Sequence, residues 1–187
     1  MSDEVSGFSA STADKTDERV FCYRYFSEFF RGTFENGLAD NWSVICEILR
    51  LPVTEADFGL ALQQKWAKCF LGVSDDTLPL TQSAWSNAAR LQCQQPCLDA
   101  HKAYEEAGVV PQYNDDYLFE DHLSLLLGFM AYQLESGRDP HAFFSRHFGQ
   151  WIDLFCAQAS AALDCPFASE VLEAFHTFLE RERDLLM

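Results

Sequence analysis

The sequence predicts an all-α protein built as a single helical bundle. Apolar residues recur at helical spacing from Thr16 almost to the C-terminus, and no run alternates apolar and polar long enough to make a useful strand. Seventeen Phe and four Trp supply a large aromatic core. At 187 residues the chain can bury one full core, or one core and a small subdomain. An apolar fraction of 48% excludes wholesale disorder.

Residues 1–15 are small, polar and acidic and read as a disordered N-terminal tail; the helical domain spans 16–187. Cys22, Tyr25, Phe26, Phe29 and Phe30 mark the first aromatic stripe. Leu38, Trp42, Ile45 and Leu49 mark the second helix, which Pro52 closes. Thr54-Glu55-Ala56-Asp57 resembles a capping box ahead of Phe58, Leu62, Trp66, Cys69 and Phe70. A loop at 72–84 follows, carrying Leu78-Pro79-Leu80 and running into Trp85. Exposed leucines in a loop gain nothing unless they pack back or meet a partner. Helical pattern resumes near Ser86, is interrupted by Pro96, and ends at Gly108, a favourable residue just past a helix end. Val109 to Asn114, with Pro111, is a linker and a candidate hinge.

The next helix is the most informative element. Leu123, Leu126, Leu127, Met130 and Leu134 follow one face, and Leu125 and Phe129 fill the other. A helix apolar nearly all round belongs in the middle of a domain. At its mouth stand Glu120, Asp121 and His122; polar groups there are either paired or left at a cleft. In the first case Asp116 or Asp121 caps the helix and His122 is a framework residue; in the second they meet a cationic ligand. Gly137 ends this helix, Asp139-Pro140 opens another, and Phe144, Phe148, Trp151 and Phe155 form one stripe reaching about Leu163. Pro166 and Ser169 start the last helix, with Val171, Leu172, Phe175, Phe178 and Leu179 inward.

Against 13 Lys and Arg stand 29 Asp and Glu, a net charge of −16. That field disfavours nucleic acid and anionic lipid and favours basic segments. Seven scattered cysteines without Cys-x-x-Cys read as free thiols of a reducing compartment. Neither a signal peptide nor a membrane-length apolar stretch is seen, so the expected location is the cytoplasm. Cys93, Cys97 and His101 fall at i, i+4, i+8; on a continuous helix the outer two stand about 12 Å apart, too far for one zinc ion, and Pro96 is the one candidate break. No phosphate-binding glycine motif and no nucleophile elbow is present, so nothing positive in the residues supports an enzyme, and neither a metal nor a cofactor is expected.

Several of these pieces, in their order and spacing, resemble the TorD/DmsD/NarJ family of redox-enzyme maturation chaperones. They are Leu78-Pro79-Leu80, Ser83 and Trp85; Glu120-Asp121-His122-Leu123 with Phe129-Met130; and Phe143-Phe144, His147 and Trp151. Phe119 departs from the pattern, where many members have proline. The resemblance covers about residues 17–180. It implies a TorD-like helical fold and a chaperone that is not itself an enzyme. Such a chaperone binds the twin-arginine signal peptide or N-terminal region of a molybdopterin oxidoreductase subunit. It holds that segment for cofactor insertion and folding before export. It also implies a monomer or a helix-swapped dimer. The implied peptide-binding residues are Leu78, Pro79, Leu80, Ser83, Trp85, Asp116, Glu120, Asp121, His122 and Phe129. In this reading Asp116, Glu120 and Asp121 meet guanidinium groups, and Leu78, Pro79, Leu80, Trp85 and Phe129 wall an apolar groove. Two other readings stay open from the residues: a small helical enzyme using Asp121 and His122, and an acidic helical adaptor.

Overall fold

The computed structural model describes residues 6–34, 37–72, 77–111 and 118–187, with side chains from Lys15 onward. Nine helices and no strand occur among the described residues: α1 (Ser6–Arg31), α2 (Leu38–Leu49), α3 (Leu60–Phe70), α4 (Gln82–Trp85), α5 (Gln95–Ala107), α6 (Leu123–Glu135), α7 (His141–His147), α8 (Trp151–Leu163) and α9 (Pro166–Leu186). Helix begins at Ser6 rather than near Thr16, so part of the segment read as a tail is helical. Extending a helix already nucleated by a packed stripe costs little per residue.

The aromatic stripe of α1 explains the architecture. One side of α1 packs along α6, where Leu123, Leu126, Leu127 and Met130 have no exposed surface. Its other side meets α8 and α9: Tyr23 stands edge-on to Phe178 at 4.7 Å, and Phe30 meets Phe175 at 4.8 Å and Phe155 at 5.6 Å. Each such pair adds roughly 0.5–1.5 kcal/mol beyond area burial. Phe167 draws in Trp42 of α2 at 5.3 Å and Phe58 at 4.9 Å. Gly32, with φ +78°, turns the chain out of α1; a Cβ there would stand 2.4 Å from the Trp66 ring, so no larger residue fits.

Polar ties lock the corners. Glu182, 1% exposed, accepts Arg19 Nε at 2.7 Å and Nη2 at 2.8 Å, and the Tyr23 hydroxyl at 2.7 Å, fastening α9 to α1. Arg181 donates to the carbonyls of Ile48 and Leu49, satisfying the end of α2.

Several local expectations change. Helix α3 is preceded by Gly59 without a side-chain cap; the Thr54 hydroxyl instead accepts Trp42 Nε1 and donates to Glu170. Pro96 opens α5 rather than interrupting a longer helix, because a first-turn proline lacks only an N–H that has no partner there anyway. The stripe read as one helix divides at 148–150 into α7 and α8. Gly108 does end α5 in the left-handed conformation.

Candidate functional site

The loop carrying Leu-Pro-Leu and the Glu-Asp-His segment, about 40 residues apart in sequence, are joined directly. Thr81 and His122 form an isolated antiparallel bridge, in which Leu123 N–H donates to Leu80 O at 2.7 Å and Gln82 N–H to Asp121 O at 3.1 Å. Side chains reinforce it. Ser83 N–H donates to Asp121 Oδ2 at 2.6 Å, and Trp85 Nε1 donates to Pro79 O at 2.8 Å while its ring stands edge-on to Phe155 at 5.8 Å. The Arg90 guanidinium covers the Trp85 ring at 4.8 Å. Trp85 is half-buried and pins the loop from beneath.

This frame corrects the expected role of Asp121. Its carboxylate has no exposed surface and is bound to Ser83; Oδ1 has no hydrogen-bond partner among the described residues. Burial pushes its pKa up, against hydrogen bonds from Ser83 that pull it down. Nor does Asp121 bond its neighbour's imidazole, so the pair considered for acid–base chemistry does not form. Helix α6 is capped instead by His122, whose Nδ1 accepts Ser124 N–H at 3.3 Å and lies 2.9 Å from Ser124 Oγ. A ring accepting at Nδ1 carries its proton on Nε2. Burial, with a smaller contribution from Arg31, lowers the His122 pKa to about 4, so the imidazole is neutral.

The bridge walls an open cleft of about 440 Å3, lined by Phe70, Leu71, Pro79, Leu80, Leu118, Phe119 and His122 among others. Of the residues expected to bind peptide, Pro79, Leu80 and His122 line this one. Leu78 is core, and Ser83, 0% exposed, serves the frame. Phe129 lies elsewhere: it lines a second cleft of about 410 Å3 between α5, α6 and α7, and a third, of about 320 Å3, between α1 and α6. Asp116 falls outside the described residues, as do 73–76 of the loop and 112–114 of the candidate hinge. Leu71, Leu118 and Phe119 were not singled out from sequence as cleft residues. Phe119 registered there only as a departure from a pattern, yet it is 38% exposed at the rim. Arg90 is the one charged residue lining this cleft among the described residues.

Glu120 lies at the edge of the frame with its side chain 27% exposed. Oε2 accepts the Cys97 thiol at 3.1 Å, Oε1 lies 3.4 Å from His101 Nδ1, and its backbone carbonyl accepts the Tyr104 hydroxyl at 2.8 Å. Burial opposes its charge, but the thiol and His101 outweigh that and hold its pKa below the ordinary value.

In the second cleft His147, 1% exposed, has Nδ1 2.7 Å from Gln82 Oε1, while Trp151 Nε1 donates to His147 O at 2.8 Å. Burial lowers the His147 pKa to about 4.

Cys93, Cys97 and His101 would stand too far apart to share a metal on one unbroken helix. Cys93 in fact precedes α5, with φ 52°, and its Sγ approaches Cys97 Sγ to 3.5 Å. These contacts run as a chain, Cys93 to Cys97 to Glu120 to His101. Among the described residues, the one group of three ligand-type side chains whose donor atoms all lie within 4.8 Å of one another is Asp153, His176 and Glu180. Arg183 already bonds Asp153 and Glu180, so that cluster has its cation.

No described helix is long and apolar enough to cross a membrane. No curated protein matches this sequence. The family model described as nitrate reductase delta subunit matches residues 32–157, from the end of α1 into α8, and so takes in both halves of the bridged frame. The chain therefore belongs to the nitrate reductase delta subunit family, within the TorD/NarJ group of molybdoenzyme maturation chaperones.

Proposed function

We propose that this chaperone holds the twin-arginine signal peptide or N-terminal region of a molybdopterin oxidoreductase subunit in the cleft beside the Thr81–His122 bridge, in the cytoplasm, before export. The observation that carries the reading is the bridge itself. It ties Leu80 to Leu123 and Gln82 to Asp121, so that both motif segments wall one open cleft with an apolar floor and a polar share that includes Arg90 and His122. Leu71, Pro79, Leu80, Leu118 and Phe119 bury the apolar stretch of the client as an amphipathic segment. The neutral His122 offers its Nε2–H to a client carbonyl. Glu120, ionised and part-exposed beside Phe119, is the described carboxylate that meets a guanidinium. Asp121, Ser83 and Trp85 act one step back, by holding the two walls together. The net charge of −16 adds long-range attraction for a basic segment.

Calorimetric titration with a synthetic twin-arginine peptide carrying an apolar stretch tests this. Phe119→Ala changes a rim residue without opening the core, and is expected to weaken binding by more than about 1 kcal/mol, as aromatic anchors do. Replacing the peptide's apolar stretch with serines is expected to abolish binding. Unchanged affinity in folded Phe119→Ala, with undiminished binding of the serine peptide, refutes the cleft as the client site.

A further inference from the structure

We propose that Cys93 and Cys97 are an oxidisable dithiol, in which Cys93 meets a hydroperoxide and Cys97 closes the disulfide with Glu120 receiving its proton. The proposal is independent of what the cleft holds. It starts from an asymmetry among the seven cysteines: Cys22, Cys46, Cys69 and Cys156 are buried and Cys165 is half-buried, while Cys93 is exposed, with the buried Cys97 thiol 3.5 Å away.

The local backbone keeps the two sulfurs together. Cys93 takes φ 52°, which folds the chain back just before α5, and Gln94 N–H is anchored on Ser83 Oγ at 2.9 Å. Asn87 bonds both the N–H and the carbonyl of Leu91, closing the turn on the other side. At 3.5 Å the sulfurs are already in van der Waals contact, against a bond length of about 2.05 Å. Four potential ligands run through this region, but they do not converge on one point, which favours thiol chemistry over a metal.

The chemistry balances as two steps. The Cys93 thiolate attacks one peroxide oxygen; the O–O bond breaks, Cys93 becomes a sulfenic acid, and hydroxide leaves as water after taking a proton. The Cys97 sulfur then attacks Cys93 while its proton passes, by way of Glu120 Oε2 3.1 Å away, to the departing oxygen. The S–O bond breaks, and hydroxide departs as water with the proton from Glu120. Two electrons leave the sulfur pair and reduce the peroxide to two waters. Ordinary thiol reductants reverse the result by exchange. Burial, reinforced by Glu120 and Cys93, pushes the Cys97 thiol well above its usual pKa. Cys97 therefore waits as a thiol, and the exposed Cys93 is the first site of attack.

Oxidation has a built-in structural consequence. Closing the disulfide removes the S–H that Glu120 Oε2 accepts, beside Gln94, whose N–H rests on the same Ser83 that binds Asp121.

The test uses the full-length reduced protein treated with a small excess of hydrogen peroxide, followed by alkylation and peptide mapping. The expected product is a single Cys93–Cys97 disulfide with the other cysteines alkylated, restored to free thiols by dithiothreitol. In Cys97→Ser, Cys93 should remain as a sulfenic acid trapped by dimedone. Glu120→Gln should slow ring closure at least about tenfold while leaving the first attack on Cys93 unchanged. Wild-type Cys93 accumulating as sulfinic acid beside untouched Cys97 overturns the pairing. Stoichiometric zinc that binds the reduced protein and blocks alkylation of both thiols overturns it in favour of a metal site. An unchanged closure rate in Glu120→Gln overturns the role of that carboxylate.

Discussion

Replacing Asp121 separates a framework carboxylate from a ligand-facing one. Asp121 is fully buried, and its Oδ2 accepts the Ser83 amide at 2.6 Å, across the join of the two cleft walls. Asp121→Ala removes that acceptor and strands a buried N–H. A hydrogen bond to a charged group contributes about 1.5–3 kcal/mol, and an orphaned donor adds to the loss, so a destabilisation of about 2–3 kcal/mol is expected. For a chain of this length that lowers Tm by roughly 4–12 °C. Asp121→Asn should behave differently. Burial raises the carboxyl pKa, so ionisation contributes stability only in reverse: the contribution is present below the unfolded value and is lost as pH rises through the folded one. At neutral pH the charge is thus a net liability of the site, and a neutral amide that keeps the Ser83 bond should cost only about 1 kcal/mol. The assay pairs thermal and urea unfolding with titration of a twin-arginine peptide. Asp121→Ala should lose stability in full, and binding in proportion to loosening of the Leu80–Leu123 join. A tenfold loss of affinity in Asp121→Asn with unchanged Tm refutes this reasoning and means the carboxylate reaches the ligand after all.

Two further outcomes test the same physics elsewhere. Burial lowers the pKa of both His122 and His147 to about 4, so each contributes stability present above the unfolded value near 6.5 and lost as pH falls through about 4. Urea midpoints should therefore decline from about pH 7 to about pH 4.5, by up to roughly 3 kcal/mol per histidine. His147→Gln should flatten the decline, and a flat profile in the wild type contradicts the assignment. Glu182→Ala leaves Arg19 without its buried partner between α1 and α9 and should cost about 3–5 kcal/mol in urea unfolding. A loss below about 1 kcal/mol would show the pair to be solvated in solution.

What was legible in the sequence follows from short-range physics. The period of Cys22, Phe26, Phe29 and Phe30 marks a helix because side-chain direction repeats every 3.6 residues whatever the partner, and these residues are indeed buried. The nearly all-round apolar α6 could have no place but the centre, and Gly108 could end a helix because a left-handed residue without a Cβ costs least there. The order of Leu-Pro-Leu, Trp85, Glu-Asp-His and the His147–Trp151 pair sufficed for the family, since a family is a linear pattern.

The tertiary structure alone decided which polar group does what. Asp121 and His122 are neighbours with similar claims to the mouth of α6. His122 caps it and Asp121 turns inward, because Ser83, 38 residues earlier, presents an unpaired amide at that spot. Phe129 has the composition of a groove residue, but its face of α6 looks toward α5 and α7 rather than toward Leu80. Cys93 and Cys97 looked like two points on one helix until the backbone turned left-handed at Cys93 and brought the sulfurs together. In each case the deciding contact comes from a remote or reversed stretch of chain. Periodicity carries no information about such contacts, because it encodes the direction of a side chain and not the identity of what it will meet.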